Sequence, residues 1–248
     1  MTRSIKPSYY NSGLPAKDDN WSWDTDDKSY EVLVTGLNNR TVHFHPNWAY
    51  STAGIRGTKI LNGKRIYWEI ATSERVFGTS MMFGIGTKEA CLHIDGFTNM
   101  LGMDKNSWGL NHKGYIWHDK KRRRYTKPFK PNTPTTIGLL FDGISGSLSY
   151  FKDDINLGIA FSNLHEISEP LLPIVCSTAA DTKMSLGNLR RDYDSLQDRC
   201  CSIILTYLTN KDHINNLEIP YRLKQIIYKE AKDMQDNCSN NSRDFSRF

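Results

Sequence analysis

The stretch of sequence that decides the fold class is Ile137-Gly-Leu-Leu-Phe-Asp-Gly-Ile-Ser-Gly-Ser-Leu-Ser-Tyr-Phe151. Apolar residues alternate with smaller ones up to Phe141, the turn formers of Asp142–Gly146 interrupt, and the alternation then resumes. A period of two around a glycine-containing turn indicates a β-hairpin. A second break at Lys152-Asp-Asp154 and a short strand at Leu157–Phe161 extend the hairpin to an antiparallel meander, with turns about ten residues apart. Such spacing predicts a β-sandwich.

Short segments with the same strand signature follow one another from Trp21 to about Leu186. Each is bounded by Gly, Pro, Asn or Asp, and none carries a long helical pattern. Two packed antiparallel sheets are therefore the expected architecture. The other predicted strands are Tyr30–Val34, Thr41–Phe44, Ile66–Ala71, Ser80–Gly86, Tyr115–Trp117, Leu171–Cys176 and Lys183–Leu186.

The chain has 248 residues, of which 38% are hydrophobic and 24% charged, and this length fits one large β domain with a small appendage. No apolar run approaches the roughly 20 residues of a membrane-spanning helix, and the start at Met1 lacks the apolar core of a signal peptide. We therefore expect a protein of the cytoplasm and nucleus. Its five cysteines form no C-x-x-C pair, so we expect reduced thiols.

The sequence contains no pattern of residues that predicts catalysis, a metal or a cofactor. Gly143-Ile-Ser-Gly146 fails as a nucleophile elbow because Ser147 stands where the last Gly should be. Gly84-Ile-Gly86 lacks the third Gly of a dinucleotide fingerprint, and close packing within a strand explains it better. His43 and His45 share one face of a predicted strand, but two imidazoles are more often partly buried side chains than a metal site.

The net charge of +5 is local, because Lys120-Lys-Arg-Arg-Arg124 carries five positive charges and the remainder of the chain balances to zero. The run lies between Tyr115–His118 and the Pro-rich turn Lys127–Pro131. Its interpretations are a nuclear-import signal, a phosphate-binding tip and a solvated hairpin end, and the sequence leaves them open. Nucleic-acid binding ranks lower, because neither a helix-turn-helix nor an aromatic-interleaved basic groove accompanies the run.

After Leu186 the hydrophobic period changes from two to about 3.6, which predicts a helix that Ser195 caps. The apolar stripe of this helix consists of Leu196, Cys200, Ile204 and Leu208. A second helix is predicted after Pro220. Two short helices cannot bury both stripes against each other, so apolar surface is left for a partner unless the helices pack back on the sandwich.

Several stretches of the predicted sandwich resemble the signature segments of the SPRY (B30.2-like) domain. They are Tyr67-Trp-Glu-Ile70, Phe83-Gly-Ile-Gly86, Ser107-Trp-Gly-Leu110, Phe141-Asp-Gly143 with Leu148-Ser-Tyr-Phe151, and Leu172-Pro-Ile-Val175. The resemblance implies a bent β-sandwich without catalytic function, whose loops at one end bind other proteins. Rigid strands that carry variable loops suit such a role.

The helical part resembles a SOCS box. Leu196-x-x-x-Cys200-x-x-x-Ile204 is similar to the elongin-binding box, in which a small Cys enters a tight pocket. Leu217-Glu-Ile-Pro220 is similar to the cullin box, normally Leu-Pro-apolar-Pro, with Glu218 in place of a Pro. The order of the two motifs behind a SPRY-like sandwich resembles the SPRY domain-containing SOCS box proteins. We accordingly expect a flexible segment at 1–20, a SPRY domain at 21–188, a SOCS box at 189–231 and a polar tail at 232–248.

This resemblance implies a substrate-recognition subunit of an elongin–cullin–RING ubiquitin ligase. The implied partners are elongin C, elongin B, a RING protein and a cullin, for which cullin-5 is the first candidate. It also implies that the targets carry a short extended Asn-Asn motif. A SPRY adaptor without ligase assembly and a nuclear protein associated with nucleic acid remain the alternatives. The implied target-binding residues are Pro46, Asn47, Trp48, Ala49, Tyr50, Phe97, Met100, Met103, Thr178, Ala179 and Ala180, those for elongin C are Leu196, Cys200 and Ile204, and those for the cullin are Leu217, Ile219 and Pro220.

Overall fold

The computed structural model describes residues 14–15, 17–74, 76–192, 196–208, 211–229 and 231, and of positions 198, 199, 202, 206, 211 and 212 the backbone alone. The described residues up to 192 form one compact unit, which is the sandwich, and those from 196 form a second, helical unit.

The strands of the sandwich follow the turn signals of the sequence closely. In chain order they are β1 Lys17–Asp18, β2 Trp23–Lys28, β3 Val32–Thr35, β4 Thr41–Phe44, β5 Ser51–Gly57, β6 Arg65–Thr72, β7 Met81–Gly86, β8 His93–Asp95, β9 Ser107–Asn111, β10 Tyr115–His118, β11 Lys121–Arg124, β12 Thr135–Asp142, β13 Ser147–Lys152, β14 Ile155–Phe161, β15 Leu172–Ser177 and β16 Thr182–Arg191.

These strands form two antiparallel sheets. In the first sheet the order is β14-β13-β12-β6-β16-β4-β3, with β1 beside β16. In the second sheet it is β11-β10-β9-β7-β15-β5-β2, with β8 beside β5. The meander predicted from the Ile137–Phe151 segment is present as β12, β13 and β14, which confirms the predicted antiparallel sandwich.

The core lies between the two sheets and contains the alternating apolar residues of the meander. Leu139, Phe141 and Leu148 are almost completely buried, and the hydroxyl of Tyr150 crosses the core to donate to the carbonyl of Phe83 at 2.9 Å. Gly84 belongs to the second sheet opposite Gly109, where a Cβ would stand 1.9 Å from the carbonyl oxygen of Trp108. Only glycine fits at that position, so close packing explains it.

Some strands were not predicted as such, and the reasons are physical. β5 is buried on both faces and consists mostly of small or polar residues, so its sequence shows neither alternation nor an apolar run. Four residues of the basic run form β11, which pairs with β10 in a hairpin and has only exposed residues, so the run is not confined to the hairpin tip. Lys17–Asp18, inside the segment expected to be flexible, pair with Arg190 and Arg191 at the end of β16. β16 therefore extends past the expected end of the domain at residue 188, and a bulge between Leu186 and Leu189 interrupts its period.

In the helical unit, α1 spans Leu196–Tyr207, a 3₁₀ segment lies at Lys211–Asn216, and residues 221–229 are helical again. Its core contains Cys201, Ile214 and Ile227, surrounded by half-buried aliphatic residues. The expected N-cap Ser195 lies outside the described residues. In the described part of the chain, no helix has the length and apolar character needed to cross a bilayer.

Candidate functional site

Three segments expected to bind the target meet at one end of the second sheet. Residues 46–50 lead into β5 and residues 178–180 follow β15, and because β5 and β15 are antiparallel both lie at the same end. Gly96 donates its N–H to the carbonyl of Tyr50 at 3.2 Å, which brings residues 97–103 to the same place. We call the surface formed by residues 46–50, 97–103 and 178–180 the loop end.

The aromatic residues of the loop end are exposed, whereas its small residues and one methionine are buried. The side chains of Trp48 and Tyr50 are about three-quarters exposed, at 76% and 75%, and Phe97 is half exposed, at 51%. Pro46 and Asn47 are exposed as well, and Ala49, Met103 and Ala180 are half-buried. Thr178, Ala179 and Met100 are buried. The exposed members can contact a ligand directly, while the buried members support the backbone.

Met100 supports the loop end from below. It is 2% exposed and belongs to a cluster with Met82, Ile174 and Cys176 on the outer face of the second sheet. A Cβ at Gly54 would stand 2.5 Å from the Met100 methyl carbon, so this side chain rests directly on β5. Met100 therefore holds residues 97–103 against the sheet by packing.

A buried network of polar side chains joins two of the three segments. Ser80 donates its N–H to Thr178 Oγ1 at 2.9 Å, and Thr178 Oγ1 donates to the Ser80 carbonyl at 3.0 Å. The Ser80 hydroxyl and the Asn111 Nδ2 both donate to Asn99 Oδ1, each at 3.0 Å. We call Ser80, Asn99, Asn111 and Thr178 the Asn99 network. Because Ser80 and Asn111 are buried, their donors need this acceptor.

His45 holds the segment at 46–50 to the segment at 178–180. Its Nε2 donates to the carbonyl of Ser177 at 3.0 Å, and its Nδ1 lies 2.7 Å from Glu31 Oε2. Asp181 donates its N–H to the His45 carbonyl at 2.9 Å. His45 follows β4 with a positive φ of 46°, so it does not share a strand face with His43, contrary to the expectation. His43 contacts Asp181 instead, at 2.7 Å.

A recess of about 420 Å³ opens beside Trp48. Its walls include Lys28, Tyr30, Leu33 and His45. Because Trp48 borders both the loop end and this recess, a ligand that lies across the loop end can place a side chain in it.

Sequence reasoning missed the residues that position the site. Ser80, Asn99 and Asn111 show no local pattern, since their contacts join separate segments of the chain. Asn99 does lie within a segment that the resemblance selected. In that segment Thr98 is polar as well, so the sequence does not single out Asn99.

A second exposed surface lies on α1. Leu196 is 76% and Tyr207 83% exposed, and Cys200 and Ile203 are exposed between them. Spacings of four, three and four residues place these side chains on one face. We call Leu196, Cys200, Ile203 and Tyr207 the α1 stripe.

Ile204, expected to join Leu196 and Cys200, is half-buried and packs with Cys201 inside the helical unit. Each helical residue turns the chain by about 100°. Ile204, eight positions after Leu196, is therefore rotated about 80° away from it, whereas Ile203, seven positions after Leu196, lies within about 20° of it. The structure therefore places Ile203 in line with the exposed residues and Ile204 at the inner margin of the stripe.

The residues expected to bind a cullin lie between the 3₁₀ segment and the helix at 221–229. Leu217 and Ile219 are half-buried against the core of the helical unit, while Glu218 and Pro220 are exposed. The Pro220 carbonyl accepts the N–H of Leu223 at 2.9 Å, so this proline begins the helix at 221–229.

No group of three or more His, Cys, Asp or Glu residues within the described ranges is arranged to hold a metal ion. Burial raises the pKa of the Cys176 thiol to about 12, so it stays protonated at neutral pH.

Comparison with known proteins agrees with this fold and also identifies the family to which the chain belongs. The model of the SPRY domain matches residues 65–189. The solved SPRY domain of human HERC1 aligns with a TM-score of 0.52 at 13% identity, covering 67% of this chain and 98% of that one. The PSpry domain of TRIM65 aligns with a TM-score of 0.54 at 16% identity, covering 68% and 90%. At these identities, the likeness concerns the fold alone.

Sequence relatives extend the match beyond the sandwich. SPRY domain-containing SOCS box protein 3 of Xenopus laevis is 34% identical over 210 residues, which are 84% of this chain and 57% of that protein. The chain thus spans somewhat more than half the length of that relative. Protein gustavus of Drosophila melanogaster is 30% identical over 226 residues, covering 85% of this chain and 80% of that protein. By these matches, and by the SPRY sandwich that precedes a helical unit, the chain belongs to the SPRY domain-containing SOCS box protein family.

Proposed function

We propose that this chain is the substrate-recognition subunit of an elongin–cullin–RING ubiquitin ligase, a non-catalytic adaptor that promotes ubiquitination and degradation of its targets. The observation that carries the proposal is the presence of two different exposed surfaces in one chain. One is the loop end, with aromatic side chains above a polar network, and the other is the apolar α1 stripe with Leu196 and Cys200. Such a protein works by raising the effective concentration of target lysines near the ubiquitin-loaded conjugating enzyme.

The chemistry of the loop end suits an extended peptide that contains Asn residues. A side-chain amide requires both donors and acceptors when it is buried in a site. Asn99 uses its Oδ1 for Ser80 and Asn111, which leaves its Nδ2 to donate to a ligand. Trp48, Tyr50 and Phe97 supply apolar surface around it. Met103, half-buried in the same segment, adapts its shape to the residues that flank the motif.

The α1 stripe is the proposed contact for elongin C, which in turn carries elongin B. An exposed leucine and a small exposed thiol, one turn apart, can enter neighbouring pockets of a partner. Leu217, Ile219 and Pro220 are the proposed contacts for a cullin, with cullin-5 and its RING protein as the first candidates. Pro220 is exposed for such a contact, whereas Leu217 and Ile219 offer only part of their surface.

The second candidate function is a SPRY adaptor that binds targets without assembling a ligase. The helical unit would then be a structural appendage, and Ile204, which packs inward, is the observation that favours this alternative.

The test is affinity purification of the full-length chain from cells, with wild type beside a Leu196→Ala, Cys200→Phe double variant. We expect elongin C in stoichiometric yield with the wild type and a loss of at least about 100-fold with the variant, because one anchor is removed and the thiol pocket is overfilled. Gln197→Ala, also exposed on α1, is the matched control and should retain elongin C. Undiminished elongin C on a folded double variant would contradict the ligase assignment.

Target binding is tested separately with arrays of Asn-containing peptides. Phe97→Ala should weaken binding about tenfold, because it removes apolar surface beside the motif. Ile144→Ala is the control, since Ile144 is also apolar and exposed but lies on the β12–β13 turn at the other end of the sandwich. Equal binding by Phe97→Ala and wild type would show that the peptide occupies other loops.

The proposal includes a location in both cytoplasm and nucleus. If Lys120–Arg124 is an import signal, changing all five residues to Ser should lower nuclear abundance. The melting temperature should stay nearly unchanged, because exposed charges contribute little to stability.

A further inference from the structure

The hairpin of β10 and β11 is regular and closes through a tight two-residue turn. Asp119 and Lys120 both have positive φ, 47° and 61°, as a type I′ turn requires. From this turn the pairing runs without interruption from His118 opposite Lys121 to Tyr115 opposite Arg124. Lys121–Arg124 of the basic run are therefore held as an extended strand, and Lys120 lies in the turn.

The strand β11 is the last of the second sheet, so one of its edges is unpaired among the described residues. In a hairpin with a two-residue turn, the pair next to the turn exchanges hydrogen bonds, and every second residue does so after it. Lys121 and Arg123 therefore direct their backbone groups to β10. The N–H and C=O groups of Arg122 and Arg124 point away from the sheet, where they can pair with a further strand.

The same two arginines present their side chains on one face. The Arg122 guanidinium lies 5.3 Å from the ring centre of Tyr115 and 5.7 Å from that of Trp117. The Arg124 guanidinium lies 4.9 Å from the ring centre of Tyr115. These cation–π contacts hold the two charges in place along the strand. No carboxylate of the described residues forms an ion pair with either arginine.

The nearest edge of the first sheet differs from this one. Its last strand, β14, has register shifts against β13 and a positive φ of 87° at Gly158. Two of its carbonyls are already used, since Tyr125 donates its hydroxyl to Gly158 and Arg123 donates to Ala160. Bulges and occupied groups block the addition of another strand there, whereas contacts among the described residues leave the outer edge of β11 regular and unoccupied.

We propose that β11 is a docking edge for an acidic protein segment that adds to the second sheet as an extra antiparallel or parallel strand. Main-chain hydrogen bonds to Arg122 and Arg124 supply the pairing, and carboxylates at alternate positions of the segment meet the two guanidinium groups. This goes beyond the recognition of an Asn motif at the loop end. The unpaired amide and carbonyl groups favour a peptide over nucleic acid, because phosphates provide acceptors but no donors for the carbonyls.

Charged residues on an edge strand also discourage aggregation, so the experiment must separate protection from docking. The full chain is titrated with a labelled peptide that alternates glutamate and valine, followed by fluorescence polarisation. We expect binding that weakens with salt, and a loss of about tenfold or more with Arg122→Glu, Arg124→Glu. That variant keeps two charges on the edge, so protection against aggregation is retained. Because the sign of the charges is reversed, it should bind the corresponding peptide that alternates lysine and valine. Lys127→Glu, Lys130→Glu makes the same change of charge at exposed positions beyond the strand and should leave binding intact.

Modified peptides test the strand geometry on the unaltered protein, so the result does not depend on how the variants fold. N-methylation of the amides on one edge of the peptide should abolish binding, and N-methylation on the opposite edge should not. Equal effects of the two methylation patterns would overturn the proposal, as would equal losses with the control variant. Tighter binding of a thymidine oligonucleotide than of the acidic peptide would assign the edge to nucleic acid and overturn it as well.

Discussion

The loop end and the α1 stripe are both exposed, but they are supported in different ways. Beneath the loop end, Asn99 and His45 fix three segments of chain by hydrogen bonds, and the sheets supply a large core. Beneath the α1 stripe the core is small, with Cys201, Ile214 and Ile227 at its centre. The first surface is organised before a ligand arrives. The second belongs to a unit that gains stability from whatever covers it.

This difference predicts different partners for the two surfaces. A fixed polar network selects a ligand by its hydrogen-bonding groups, since an unmatched donor or acceptor costs free energy. An apolar stripe selects by shape and by the area it buries. Substitutions that affect one surface should therefore leave the other unaltered.

The largest expected effect comes from Gly84→Ala. The new methyl would stand 1.9 Å from the Trp108 carbonyl oxygen, so the sheet must move. We expect a loss of at least about 3 kcal/mol and a fall of about 10 °C in the melting temperature of the sandwich. Peptide binding should fail on warming while elongin C binding persists, as pull-downs at increasing temperature would show.

Gly63→Ala is the control for this variant. Gly63 has a positive φ of 68° and nothing within 4 Å of an added Cβ, so only backbone strain of about 1 kcal/mol is expected. Parallel loss of elongin C binding with Gly84→Ala would mean that the two surfaces depend on one cooperative unit.

A smaller effect is expected from changes at Asn99. Asn99→Ala leaves the buried donors of Ser80 and Asn111 without an acceptor, which should cost about 1–3 kcal/mol in urea unfolding. Asn99→Asp keeps acceptor oxygens for both donors and should retain most of this stability. Both variants lose the Nδ2 donor, so both should bind the peptide about tenfold more weakly.

Asn62 provides the matched control, because its Oδ1 accepts the N–H of Leu171 at 2.7 Å in a part of the sandwich away from the loop end. Asn62→Ala should lower stability without changing peptide affinity. Wild-type affinity in Asn99→Asp would reduce Asn99 to a support for the loops.

The smallest effect concerns pH. The pKa of His112 is lowered from 6.5 by burial and by Lys113, and its neutral Nδ1 accepts the N–H of Met81 at 3.1 Å. Between that lowered pKa and 6.5 the unfolded chain binds more protons than the folded protein. The contribution of His112 to stability is therefore complete above pH 6.5 and is lost as the pH falls through this window.

His112→Asn retains an acceptor near Met81 without titrating. The difference in unfolding free energy between pH 7 and pH 5 should be smaller than in wild type. His165→Asn, at an exposed histidine, should show the wild-type difference. An unchanged pH dependence in His112→Asn would place the acid sensitivity elsewhere.

The sequence predicted strands that show either an alternating pattern, as in β12, or a run of apolar residues, as in β7 and β15. Leu139 and Phe141 alternate with residues of the other face, and β12 is found where the alternation predicts it. β5 was not predicted, because Met100 and the core bury both of its faces and its residues are mostly small or polar, so it shows neither alternation nor an apolar run. β11 was missed because its four residues are exposed and basic, so it has no apolar pattern at all.

The site could be located from the sequence only through family resemblance, and its internal structure could not be derived at all. Phe97 and Trp48 lie in segments that the resemblance named, and both are exposed. Asn99 and Ser80 are 19 residues apart, and their hydrogen bond exists only because β7 and the following loop fold back. Contacts of this kind leave no periodic signal, since each depends on the register of several strands.

The neighbouring cysteines of α1 have one further consequence. Consecutive helical residues point about 100° apart, so Cys200 is exposed while Cys201 lies in the core of the helical unit. An alkylating reagent should therefore modify Cys200 and spare Cys201 in the folded chain, and a protein seated on the α1 stripe should protect Cys200. Exposed Cys91, on the sandwich, serves as the internal standard for the rate. Two adjacent thiols thus make the occupancy of this surface measurable by peptide mass spectrometry, without a tag or a substitution.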